Sequence, residues 1–283
     1  MQGEAIVTVA NDERLLARIV ETLAPVPGIR AIVLGGSRAR GTATPHSDYD
    51  IGLYYDGQAP FDHAVLSRAT ARLDDGAATV TPIGGWGPWI NGGGWLTIDG
   101  TRVDLLYRDL DRVQAVIDGC HAGTIDVVYQ PGHPHAFVSA IYMGEVAICR
   151  PLVDNGGVLG RLMARTTPYP TALRAAVIQR FGWEAGFASA NARKSLDRKD
   201  SNYIAGCIFR AVACLCQTLF AHNDHYLLNE KGAVTMVDGF TRRPERFAAR
   251  VTAIVRDAGT GAGAAALDAL DTLIAETTAL TGR

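Results

Sequence analysis

Residues 32–53 read IVLGGSRARGTATPHSDYDIGL. The apolar run Ile32-Val33-Leu34 enters Gly35-Gly36-Ser37. A polar stretch with Arg38, Arg40 and Thr42 follows, and Ser47-Asp48-Tyr49-Asp50 leads into a second apolar run. Short apolar runs separated by glycine and polar residues predict a strand, a tight turn, a short helix, a loop and a second strand.

This segment carries two halves of one kind of chemistry. Side chains at i and i+2 of a strand share a face, so Asp48 and Asp50 lie together. Two adjacent carboxylates repel, and one of them is driven toward its neutral form unless a cation intervenes. Hard oxygen ligands suit Mg²⁺, which completes its shell with water and substrate phosphates. Gly36 lets the backbone approach a ligand closely, and a helix starting there points N–H groups at an anion. The Ser37 hydroxyl can donate to a phosphate oxygen, and Arg38 or Arg40 adds positive charge.

The acid pair alone is weak evidence, because Asp109-x-Asp111 has the same spacing. That second pair fits a helix start, where acids cap free N–H groups and meet the positive end of the dipole. A lone acid, Asp104, strengthens the first pair. It stands in the apolar run Val103-Asp104-Leu105-Leu106, where a buried carboxylate is costly unless paired or metal-bound. On a strand next to Asp48 and Asp50 it completes a two-metal site, one ion gripping a triphosphate and the other activating an acceptor oxygen. The alternative is a salt bridge from Asp104 to Arg102 or Arg108.

The rest of the chain frames these residues. Apolar positions at Leu15, Leu16, Ile19, Val20 and Leu23 predict an amphipathic helix over 11–24, with Asn11 or Asp12 as its N-cap and Pro25, Pro27 and Gly28 ending it. A second helix is predicted over 61–74. Residues 82–94 hold six glycines and two prolines and read as loop, with Trp86 and Trp89 either stacking on a ligand or pinning the loop. Asp99-Gly100 joins two alternating runs as a hairpin, and a helix capped by Asp109 follows. Helices are predicted over 171–197, 201–221 and roughly 243–281, with a loop at 258–266.

Composition limits the classes. The 283 residues are 48% hydrophobic, enough for a substantial core. The net charge of −2 exerts no pull toward nucleic acid or anionic membrane. Residues 1–118 carry 10 basic and 15 acidic side chains, net −5, and residues 119–283 carry 17 and 14, net +3. The five cysteines show no zinc spacing, and Cys207, Cys214 and Cys216 fall in an apolar segment as expected core residues. The N-terminus lacks a basic-then-apolar signal and no apolar run reaches about 18 residues, so a soluble, cytoplasmic protein without a membrane partner is expected.

Gly36-Ser37, ten residues, Asp48-x-Asp50 and a later strand aspartate resemble the DNA polymerase beta-type nucleotidyltransferase superfamily. The resemblance covers about 32–54 specifically and extends to about 112. It implies an α+β architecture: a mixed β-sheet flanked by helices in a catalytic domain at 1–118, and a mostly helical bundle domain at 119–283. It assigns Gly36 and Ser37, with Arg40 and Ser47, to the nucleotide, and Asp48, Asp50 and Asp104 to two Mg²⁺ ions. The second half resembles the small-molecule branch, the aminoglycoside and lincosamide nucleotidyltransferases, through Trp183-Glu184, Asn191-Ala-Arg-Lys194, Asp200, Tyr203 and Tyr226–Gly232. There Lys194 is expected to reach the triphosphate, Tyr203 to stack on the base or pack in the core, and Glu184 to act as base or to pair with Arg180. Arg193, Glu145 and the His133/His135 pair carry lesser claims.

The expected reaction transfers a nucleoside monophosphate, AMP from ATP or another NTP's equivalent, to a hydroxyl of a small molecule, with pyrophosphate released. The base preference and the acceptor are left open, and the resemblance also allows a homodimer. Two other readings stand beside it. One is transfer to a macromolecule, a tRNA end or a protein hydroxyl; a nucleic acid substrate would call for a basic track with interleaved aromatics, and five basic residues in 180–199 do not make one. A non-catalytic nucleotide sensor would have less reason to carry all three acids and the Gly-Ser turn.

Overall fold

The computed structural model describes the backbone of residues 2–77, 79–258 and 263–282, and side chains within these from residue 12 onward. The chain forms two compact units: residues 1–117 with 145–167, and residues 118–144 with 168–283.

The first unit is built on a five-stranded mixed sheet. Its strands are β1 (Ile29–Leu34), β2 (Tyr49–Tyr55), β3 (Gly93–Ile98), β4 (Thr101–Asp109) and β7 (Arg150–Asp154), in the order β3-β4-β2-β1-β7. Only the β2–β4 pair is parallel; β1 runs antiparallel to both β2 and β7, and β3 antiparallel to β4. Alternation in β2 and β4 sends Ile51, Leu53, Val103, Leu105 and Tyr107 to one face. That face packs on Leu16, Ile19 and Leu23 of α1 (Gln2–Leu23) and on Leu66 and Ala69 of α3 (His63–Thr70). Each fully buried leucine or isoleucine contributes about 1.5–3 kcal/mol of transfer free energy. The opposite face of β2 and β4 bears Asp50 and Asp104.

The predicted turns hold. Asp99 (φ 49°) and Gly100 (φ 71°) form the two-residue link between β3 and β4. Asp109 Oδ1 accepts the N–H groups of Asp111 and Arg112 and caps α4 (Leu110–Ala122), while Asp62 caps α3. Two expectations in this unit need correction. Helix α1 begins at Gln2, so positions 11 and 12 lie inside it rather than at its N-terminus. Asp12 instead turns toward the sheet, where it accepts from Arg38 Nη1 at 3.2 Å and from the Tyr49 hydroxyl. The loop at 82–94 is also shorter than its glycine content suggests, since Gly93 and Gly94 begin β3. Glycine is required there because a Cβ on Gly93 would run into the Leu105 carbonyl oxygen, and one on Gly94 into Val80.

The second unit is mostly helical. Helices α7 (Thr171–Lys194) and α8 (Ser201–His222) share its most extensive contact, joined by α9 (Ala233–Val237), α10 (Phe247–Ala258) and α11 (Gly263–Thr281). A short pair, β5 (Val127–Val128) and β6 (Phe137–Val138), precedes α5 (Ile141–Ile148), and α6 (Val158–Met163) follows β7 in the first unit. Leu173, Val177 and Phe181 from α7 and Ile208, Leu215 and Phe220 from α8 are buried. Cys214 and Cys216 are core residues as expected, and Cys207 is half-buried. Among the described residues α8 alone is apolar and long enough to cross a membrane, which corrects the reading that no such run exists; isolated polar residues hid it. It is 72% buried and serves as a core helix. Of the loop expected at 258–266, residues 259–262 lie outside the described residues, while 258 ends α10 and 263–266 already belong to α11, which starts earlier than expected because Ala264–Ala266 favour helix.

Candidate active site

The site grows from the end of β1. Gly35 N–H donates to Asp50 O at 2.7 Å, which fixes the turn against the start of β2. The single helical turn α2 (Gly36–Ala39) then begins with Gly36 at φ 59°. A Cβ added to Gly36 would collide with the Asp50 carboxylate. Glycine is required here for two reasons, a left-handed backbone and a side chain packed against it. Gly36→Ala is expected to displace Asp50 and lower kcat/KM about 100-fold, because misplacing a reacting group by about 1 Å costs that much. Steady-state kinetics beside a thermal melt separates this from unfolding.

Arg38 locks the loop that delivers the acids. Its Nη2 donates to Ser47 O at 2.8 Å, its Nη1 meets Asp12, and its guanidinium lies 3.7 Å from the centre of the Tyr49 ring. The Tyr49 hydroxyl is pushed up to about 12 by burial and by its bond to Asp12. Ser47 Oγ accepts Thr44 N–H at 2.9 Å and holds the turn before Asp48. Ser37, in α2, and Arg40, just after it, are half-buried. Burial lowers the Arg40 pKa, and the Asp50 charge works against that.

The carboxylates form a row. Asp50 is the direct partner of Asp104 in the parallel β2–β4 register, so their Cα atoms stand on adjacent strands about 4.8 Å apart. Asp48 lies two residues before Asp50. Its Oδ1 is buried and makes no hydrogen bond, although Arg102 Nε sits 2.7 Å away as an ion pair. Arg108 is turned elsewhere: Nε and Nη2 meet Glu145 at 2.6 and 2.7 Å. The two arginines weighed as partners of Asp104 are thus engaged by other acids, with only the charge of Arg102 reaching it.

Burial raises the Asp104 pKa, the Asp48 charge adds to the rise, and Arg102 opposes it. A raised folded-state pKa means ionisation costs stability, and that cost is absent below the unfolded pKa and present at neutral pH. Asp104→Asn is therefore expected to raise the thermal midpoint of the metal-free protein at pH 7, and to leave it unchanged near pH 3, as differential scanning calorimetry would read. Crowded carboxylates of this kind fit a divalent cation, which turns their repulsion into ligation.

The other predicted residues belong to the second unit. Glu184 is 3% exposed. It pairs with Arg210 and with Arg180 at 3.5 Å, and lies 3.8 Å from His135. The fold also brings Cys214 Sγ to 3.7 Å from His135 Nε2, so the His-x-His segment has neighbours that its spacing did not reveal. Burial lowers the His135 pKa and raises that of Cys214, and two guanidinium groups already neutralise Glu184. The cluster is an ion-paired core. Lys194 is exposed at the end of α7, Tyr203 is half-exposed with its N–H on the capping Asp200, and Arg193 pairs with Asp268 and Asp271. His133 Nδ1 lies 3.5 Å from Glu230.

Sequence reasoning missed Trp95. The β3–β4 register makes it the direct partner of Asp104 on the side away from Asp50. The signal was present: a two-residue turn at Asp99-Gly100 pairs 98 with 101 and hence 95 with 104.

The site is a strand–turn–strand unit with three half-buried carboxylates on the sheet face opposite the α1 and α3 core, an arrangement suited to metal-assisted phosphoryl chemistry. Residues 13–109 match the family model of the nucleotidyltransferase domain. The match lies within the first unit and supports an enzyme of the transferase class. A similar solved structure is a nucleotidyltransferase-like protein from Exiguobacterium sibiricum 255-15. It is 11% identical, with 95% of this chain and 77% of that one covered at a TM-score of 0.45. No curated protein matches the chain.

Proposed function

We propose that the protein is a Mg²⁺-dependent nucleotidyltransferase that moves a nucleoside monophosphate, AMP from ATP, onto a hydroxyl of a small molecule and releases pyrophosphate. The observation that carries this reading is the register of Asp50 against Asp104, with Asp48 on the same face and the Gly36-Ser37 turn beside them. Asp48, Asp50 and Asp104 would hold the metal. When bound there, divalent cations neutralise the phosphates and favour the ionised acceptor oxygen.

The chain's own groups divide the remaining work. Gly36 and Ser37 receive the phosphates, and Arg40 adds a positive charge next to Asp50. Asp104, on β4 and one strand further from the Gly36-Ser37 turn than Asp50, is the group on the acceptor side. Glu184 enters this reading as a structural acid, given its two arginine partners.

The test is a pyrophosphate-release screen with ATP, GTP, CTP and UTP against polyhydroxylated small molecules, with Mg²⁺ and with EDTA. Release that needs both Mg²⁺ and a hydroxylated acceptor supports the proposal. Release equal in EDTA, or no release with any pair, overturns it.

A further inference from the structure

Four positions run across the first unit's sheet, on the face opposite the α1 and α3 core, in a fixed order: the Gly35-Gly36 turn at the end of β1, Asp50 on β2, Asp104 on β4 and Trp95 on β3. Trp95 is 67% exposed. Trp86 leans on it, with ring centroids 4.7 Å apart and planes tilted by 30°. The position is built rather than incidental. Gly93, two residues before Trp95 on the same face, has no room for a Cβ, which would run into the Leu105 carbonyl oxygen of β4 and then into the edge of the Trp86 ring. Trp89, by contrast, is buried under the Arg112 guanidinium, 4.1 Å from its ring, and pins the loop. The two tryptophans weighed together in the sequence therefore divide: Trp89 is structural, and Trp86 joins Trp95 in an indole pair bordering the acid row.

In-line displacement sets what meets this pair. The leaving pyrophosphate and the attacking oxygen lie on opposite sides of the reacting phosphorus. With the phosphates at the Gly36-Ser37 turn, the attacking hydroxyl arrives from the Asp104 side, and the first surface beyond Asp104 is Trp95. An indole face carries negative quadrupole charge, which attracts the weakly positive C–H face of a saturated ring. The polar groups sharing that face suit hydroxyls: Thr97 is exposed two residues along β3, and the exposed Arg102 is its partner on β4.

We infer that Trp95, backed by Trp86, is the acceptor platform of this site, and that the acceptor is a saccharide whose ring stacks on the indole while one of its hydroxyls reaches Asp104. The inference rests on the nucleotidyl-transfer reading for the direction of attack, and on the geometry of the face for the class of ligand.

The test is an NMR titration of the ¹⁵N-labelled protein, following the indole N–H signals of its four tryptophans, assigned with single Trp→Phe variants. Methyl glycosides of glucose, galactose and mannose are added in one series and adenosine in another. The glycosides are expected to shift the Trp86 and Trp95 signals selectively, with saturation in the millimolar range. Trp95→Ala should weaken that binding about tenfold and Trp95→Phe should retain most of it. In turnover with a saccharide acceptor, Trp95→Ala should raise the acceptor KM similarly and leave the NTP KM unchanged. Shifts with adenosine alone would make the pair a nucleobase platform and overturn the inference, as would no glycoside response. The titration needs no turnover. Glycoside binding by a protein that releases no pyrophosphate would therefore refute nucleotidyl transfer while leaving the saccharide site intact.

Discussion

Asp50→Asn is expected to lower nucleotidyl transfer by about 1000-fold or more, the scale on which removing a principal charge-stabilising group acts, with the fold preserved. The side chain is half-buried on the face of β2 opposite the α1 and α3 core. Asparagine keeps its size and can still occupy the space beside Gly36 that excludes a Cβ. Only the negative charge is lost, and with it one anionic ligand of the row formed with Asp48 and Asp104. Asp48→Asn should behave alike, with the added effect of releasing Arg102 from its ion pair. Asp104→Asn should be equally inactive yet more stable without metal, because its carboxylate is the one that burial and Asp48 disfavour. Circular dichroism melts with single-turnover kinetics would resolve the three variants. Full metal-dependent activity in both Asp48→Asn and Asp50→Asn would refute the assignment.

Glu145→Ala carries the largest expected stability loss. Arg108 is 2% exposed, and its guanidinium is gripped by both Glu145 oxygens while Nη1 donates to Tyr107 O. Removing the carboxylate strands a buried cation, which costs about 3–5 kcal/mol for a fully buried pair. Glu145 retains 23% side-chain exposure, so water recovers part of the loss and about 3 kcal/mol is expected. For a unit of this size that lowers the midpoint by about 6–12 °C. Glu145→Gln, which keeps an acceptor, should lose less, and Arg108→Met with Glu145→Leu should recover most of the deficit. A loss under about 1 kcal/mol for Glu145→Ala would show that the pair is not the anchor it is taken to be. The pair fastens the start of the returning segment 145–167 to β4, so its loss should also loosen β7, readable as faster hydrogen exchange there.

The features legible in the sequence are those set locally. Alternation and glycine punctuation gave β1, α2 and β2. The Asp99-Gly100 turn gave the β3–β4 hairpin with its register, and Asp109 gave the cap that separates its acid pair from the other one. Features set by distant contacts were not legible. Asp12 looks like a helix cap by residue type, but its helix starts ten residues earlier and the side chain is claimed by Arg38 and Tyr49. The choice of Asp48 for Arg102 and of Glu145 for Arg108 depends on which strands become neighbours, and no local pattern records that. β7 is five residues without clean alternation, and it becomes a strand because β1 offers it an edge. His135, Glu184 and Cys214 are far apart in sequence and meet only through helix packing. Trp95 was legible through the hairpin register, yet a tryptophan in a strand is most simply read as core.

The central claim is that the bond broken lies at the α-phosphorus of the nucleotide. Parallel reactions with ATP labelled at the α- or the γ-phosphate, Mg²⁺ and a hydroxylated acceptor that supports pyrophosphate release test this most directly. The account predicts α-label on the acceptor and γ-label wholly in pyrophosphate, both lost in Asp50→Asn. Transfer of γ-label to the acceptor, or α-label transfer undiminished in Asp50→Asn, would contradict it.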